Sequence, residues 1–137
     1  MATISLSKFN SFSEAVCEKV HNLGSDTLTV ALTNSAPSAS NTVLANITQI
    51  SYTNLSSRVL TTSSSAQTSG TYKLTLADLT LTASGAVATF RYIVIYNDTA
   101  TNDELIAYGD LGSAITLGSG DSVLLDFDGT NGALTLA

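Results

Sequence analysis

The chain has 137 residues, the size of one ordinary domain, with 44% apolar and 12% charged residues, where a disordered chain shows the reverse. Eleven acidic residues against five basic ones give a net charge of −6, and five scattered cations argue against binding to nucleic acid. One Cys and one His exclude an internal disulfide and a Cys/His zinc site, and no apolar run approaches the length of a membrane-spanning helix.

Met1 to Phe9 has no basic region followed by an apolar one, so no secretory signal is expected. Within it, Thr3-Ile4-Ser5-Leu6-Ser7 alternates, which predicts an extended arm or edge strand over residues 1–9. The period then changes. Ser11 and Glu14 match a capping box, and Phe12, Ala15, Val16, Val20 and Leu23 follow at helical spacing. One helix is predicted within residues 11–23, with Gly24 as its left-handed cap and Phe9 packed on its stripe.

Everything after Gly24 reads as strand and turn. Leu28, Val30 and Leu32 mark one face of a strand over Thr27 to Thr33. Asn34 to Asn41, with Pro37, is a loop, and Ile47 to Tyr52 is compatible with a strand. Thr61 to Gly70 is Ser/Thr-rich and reads as a long surface loop. Tyr72, Leu74 and Leu76 alternate, Leu79 and Leu81 do so on the other parity, and a bulge or tight turn is expected at Ala77-Asp78. Ser84-Gly85 is a candidate hairpin turn. Ala86 to Tyr96 is apolar on both parities, as a central strand is. Asn97 to Asn102, Gly109 to Gly112, Gly118 to Asp121 and Asp128 to Gly132 read as turns between short strands. Turns at this spacing predict a mainly β fold: one antiparallel β-sandwich domain over 1–137, jelly-roll or Ig-like, with one short N-terminal α-helix.

Few residues invite a chemical role. Glu14, Cys17 and His21 share one flank of the predicted helix, and Cys, His and a carboxylate are the parts of a thiol catalyst. A lone surface helix supplies no oxyanion donors, so the flank reads as solvated. Ser5 and Lys8 spell S-x-x-K, but in an arm rather than at the start of a buried helix. Asp126, Asp128 and Asn131 suggest a calcium loop, yet Thr130, Asn131 and Ala137 fall where such a loop needs acid or amide, Gly and Glu. Hairpin turns explain them without metal. Asn46, Asn54 and Asn97 begin glycosylation sequons, which arise by chance in a chain with 19 Ser and 20 Thr. After Arg91 there is no cation but seven carboxylates: Asp98, Asp103, Glu104, Asp110, Asp121, Asp126 and Asp128. They read as turn formers, or as an acidic end that repels DNA or meets a basic partner. Arg91, alone in the central strand, is expected to pair with a carboxylate or a carbonyl. No catalytic, cofactor-binding or metal-binding residue is assigned.

Two stretches carry a resemblance: Phe9 to Pro37, and Thr68 to Thr99 continued by Asn102 to Tyr108 and Ser113 to Leu117. Together they resemble small virion structural proteins of tailed bacteriophages. Relatives tend to be Gly-rich after the position of Ile50, where this chain has Ser51 to Arg58. The resemblance implies a multi-copy part of the virion, made in the bacterial host cytoplasm, without enzymatic activity or cofactors. It implies first a capsid decoration (cement) protein, a homo-oligomer (dimer or trimer) on the capsid surface that bridges subunits of the major capsid protein. No nucleic acid, membrane or small-molecule substrate is implied. The alternative is a tail, neck or fibre component, or a glycan-binding β-sandwich module. Low charge and many hydroxyls suit an assembled, wet surface.

Overall fold

The computed structural model describes residues 3–137. In chain order these form β1 (Leu6–Lys8), α1 (Phe12–Cys17), β2 (Leu28–Thr33), β3 (Thr62–Thr68), β4 (Thr71–Leu76), β5 (Leu79–Thr82), β6 (Phe90–Asn97), β7 (Leu105–Ile115), β8 (Ser122–Leu125) and β9 (Leu134–Leu136). A single 3₁₀ turn spans Leu44–Asn46. The fold is mainly β, with antiparallel pairing throughout and one short helix, as a β-sandwich requires.

Three sheets make the two layers. One has the order β1-β7-β6-β2; facing it are β3-β4-β9 and the pair β5-β8. Leu28, Val30, Leu32, Ile93 and Ile95 meet Leu74, Leu76, Leu81, Leu125 and Leu134 in the core between them. Burying each such side chain contributes about 1.5–3 kcal/mol, which drives the layers together. The four-stranded sheet is also covered on its other face. There Ala31, Val94, Tyr96 and Leu105 pack with Phe9 and Ile47. Burial on both faces explains why β2 is buried at all six positions and β6 is apolar on both parities.

The described part of the predicted arm, residues 3–9, is docked on its own molecule, and residues 1–2 lie outside the described residues. β1 pairs with β7, Ile4 is buried, and the Ile4 N–H donates to the Asp126 carbonyl at 2.8 Å. Lys8 Nζ reaches the Thr135 carbonyl at 2.7 Å, tying β1 to β9. Gly109 makes room for this strand: a Cβ there would lie 2.7 Å from Ile4 Cγ2.

Several expectations need correction. The helix ends at Cys17, not near Leu23. Lys19 takes φ +65°, the Val20 N–H reaches the Ala15 carbonyl at 2.8 Å, and the Lys19 N–H reaches Val16 at 3.3 Å. This is a Schellman end with Lys in the position usually held by Gly, at a cost of roughly 1–2 kcal/mol. Ser11 makes no side-chain cap bond, so the capping box is not formed. Phe9 lies across the sheet from the helix, against Tyr108 with ring centroids 4.7 Å apart. Thr61 to Gly70 is not a loop but carries β3, joined to β4 by a turn at Ser69 (φ +51°) and Gly70 (φ +87°). Ser84-Gly85 is no hairpin, because β5 pairs with β8 rather than β6. At Ala77-Asp78 the chain leaves one sheet for another. Gly109 to Gly112 does not turn either; β7 runs through it, with extra residues bulged around Gly112 at φ +91°. Ile47 to Tyr52 forms no strand, although the Ile50 N–H bonds the Leu32 carbonyl at 3.0 Å.

Candidate functional site

The Schellman turn after α1 decides the local chemistry, because it throws His21 inward, to 7% exposure. The ring lies 5.7 Å from Phe12 at 24°. Its Nδ1 is 3.0 Å from Nδ2 of Asn97, which is fully buried at the end of β6. Asn97 Nδ2 also donates to Asp26 Oδ2 at 2.6 Å. Asn97 Oδ1 accepts the N–H groups of Thr99 and Ala100 at 3.0 and 3.1 Å, which fixes the orientation of the amide. Asp26 Oδ2 further accepts the Asn22 N–H at 2.8 Å. With one amide hydrogen on Asp26 and the other on His21, Nδ1 must accept, and the imidazole proton sits on Nε2. Among the described residues, neither the buried Nε2 nor the buried Glu104 Oε2 has a hydrogen-bond partner. Burial pushes the His21 pKa down; Glu104, Asp26 and the Leu105 backbone oppose it with smaller effects.

Beside this knot lies a groove of about 690 Å³. Val16, Cys17 and Val20 form one wall, Ser65, Tyr72 and Leu136 another, and Thr99 and Ala100 close an end. The Tyr72 hydroxyl and Ser65 Oγ pair at 2.7 Å across the β3–β4 ladder. The lining is mostly apolar, and His21 and Asp26 reach it from the knot.

The structure separates most of the residues that drew attention in the sequence. Cys17 and Glu14 are exposed, whereas His21 is inside, so the three share no helix face. Cys17 and His21 border the same groove but form no dyad: Nδ1 is held by Asn97 and Nε2 is shut away from it. Ser5 and Lys8 lie at an extended edge. Asp128 is consumed by its own turn. Its oxygens accept the Thr130 and Asn131 N–H groups at 2.8 Å and the Asn131 amide at 2.9 Å, which hold its pKa down. Asp126 sits 3.4 Å from the Thr3 hydroxyl. Among the described residues, no three His, Cys, Asp or Glu side chains are placed to hold one metal ion. Asn46 closes the 3₁₀ turn by accepting from the Thr42 and Val43 N–H groups, and Asn54 donates to the Ala86 carbonyl.

The acidic residues divide in two. Asp110 forms a two-pronged pair with Arg91 at 2.9 and 3.1 Å on the surface, which lowers the carboxyl pKa. Asp121 accepts the Gly118 N–H of its own turn at 2.8 Å. Asp98, Asp103 and Glu104 instead crowd the β6–β7 turn; partial burial raises the Asp103 pKa, and its two acidic neighbours add to that. No family model, curated protein or solved structure matches this chain.

Asn97 and Asp26, the centre of the knot, were not singled out by the sequence for this role. The available signal was a polar Asn-Asp-Thr directly after the most apolar strand, where a side chain must close the turn.

Proposed function

We propose that this protein is a bacteriophage virion structural protein, most specifically a capsid decoration protein that stabilises the head by bridging subunits of the major capsid protein. The observation that carries the reading is the resemblance over Phe9 to Pro37 and Thr68 to Thr99, continued by Asn102 to Tyr108 and Ser113 to Leu117. These stretches supply α1, β2 and β4 to β7, including the centre of the four-stranded sheet. The use of its polar groups supports a role in assembly. His21, Asn97, Asp26 and Asp128 serve packing and turns, and the hydroxyl-rich strand β3 faces outward.

In this reading no substrate, cofactor, membrane or nucleic acid is engaged. The crowded carboxylates of the β6–β7 turn would disfavour DNA and suit an outward face of the head. Many modest contacts, repeated by lattice symmetry, would supply the strength. One observation favours the glycan-binding alternative, the groove beside Tyr72, although the Tyr72 hydroxyl is already paired.

Heads lacking the protein test the reading. The purified chain is expected to co-sediment with undecorated heads and to raise the temperature at which they release DNA. Binding to tails alone, or no change in release, would overturn it.

A further inference from the structure

A sheet edge exposes N–H and C=O groups that need a partner, and most edges here are dressed. Along β2, the Val30 N–H meets the Arg58 carbonyl at 3.0 Å and the Leu28 carbonyl takes the Leu60 N–H at 2.8 Å. The Thr82 carbonyl of β5 takes the Ser56 N–H at 3.0 Å. β1 and β9 are three residues each.

The outer edge of β3 is unlike these. It is seven residues long, mostly exposed and, among the described residues, paired on one side only, with β4. Its ladder with β4 is irregular only between Thr62 and Ser64, and beyond that it carries none of the usual blocking residues: there is no charge and no Pro from Val59 through Tyr72. Its register identifies the open groups. The Leu74 carbonyl accepts the Ala133 N–H at 2.7 Å on the β9 side, so the backbone at Leu74 points away from β3. Ser65 lies opposite Leu74 and therefore points away from β4. Two residues on, Gln67 points the same way.

We infer that the open edge of β3 pairs with the same edge of a second copy of this chain, antiparallel about a twofold axis at Ala66. The axis sets Ser65 against Gln67 of the partner subunit, and the reverse, so the outward N–H and C=O groups of both are satisfied. The two three-stranded sheets become one of six strands. A second copy fits better than a charged partner. Two chains of net charge −6 repel wherever their carboxylates meet, and this strip holds none. A basic partner gains nothing from an uncharged edge. A single strand pair buries less than the roughly 1,600 Å² of a standard interface, so the free dimer is weak and concentration-dependent. The pairing rests on the proposed function, for which the resemblance implies a homo-oligomer. Its test uses the free chain, so its failure leaves placement on the particle untouched.

The test is cross-linking of Ala66→Cys in a Cys17→Ser background. At the axis the two residues form a non-hydrogen-bonded pair with Cα atoms about 4.5 Å apart, within reach of a disulfide. Mild oxidation is expected to give dimers at least tenfold faster than Ser119→Cys in the same background, a control on an exposed turn. Gln67→Pro removes one outward N–H and should weaken association in sedimentation experiments at least tenfold, with the far-UV spectrum unchanged. The cysteine experiment stands even if the proline variant fails to fold. Cross-linking at the control rate, or undiminished association of a folded Gln67→Pro chain, would overturn the inference. So would a wild-type chain that stays monomeric at millimolar concentration while capturing an extended peptide on β3.

Discussion

Replacing Asn97 with Ala removes the four hydrogen bonds of a fully buried side chain whose partners Asp26, Thr99 and Ala100 border the groove. The Thr99 and Ala100 N–H groups lose their shared acceptor, His21 Nδ1 loses its donor, and Asp26 keeps only the Asn22 N–H of the bonds to Oδ2 described above. A buried polar group left unpaired costs about 1–3 kcal/mol. The Ala100 N–H retains a longer contact with the Asn97 carbonyl at 3.3 Å, and water entering the vacated space offsets part of the rest. The expected loss is therefore about 3–5 kcal/mol, a large share of the 5–15 kcal/mol typical of a domain. Urea unfolding at pH 7.5 measures it through the midpoint at constant slope, and Tm should fall by about 10–15 °C. A loss below about 1 kcal/mol would refute the view that the knot anchors the β6–β7 turn to the helix end.

Burial holds the His21 pKa below its ordinary value, so the unfolded chain binds that proton more readily than the folded one. The His21 contribution is complete above about pH 6.5 and declines as pH falls from there toward the folded pKa; His21→Gln should flatten the decline, and an unchanged slope would exclude His21 as its source. Gly109→Ala sets a methyl against Ile4 and the Ser5 carbonyl, which should cost about 1–3 kcal/mol and speed amide exchange in β1; a neutral effect would mean that β1 is not clamped there. Cys17 is exposed, so one thiol per native chain should react promptly with a disulfide reagent, and Cys17→Ser should change stability by less than about 0.5 kcal/mol.

The sequence was most legible where burial acts on regular alternation. Leu28, Val30 and Leu32 fall on one face of β2 as their spacing implies, and the run around Ile93 to Ile95 is the central strand. It was least legible where tertiary contact overrides local preference. β3 has no apolar face of its own and is held by its ladder to β4. Gly109 to Gly112 has the composition of a turn, but Gly109 and Asp110 pair with β6, Gly109 also pairs with β1, and only a bulge remains around Gly112. The helix stops early because Lys19 adopts a left-handed conformation that its residue type does not announce. That stop carries His21 off the helix flank and into the core. The three-residue cluster that looked most like chemistry became one buried side chain and two exposed ones.

The number of copies per purified particle, measured by quantitative mass spectrometry against the major capsid protein, tests the central claim most directly. Decoration predicts hundreds of copies, in fixed proportion to the capsid lattice. A count in the tens that follows the tail proteins would contradict it.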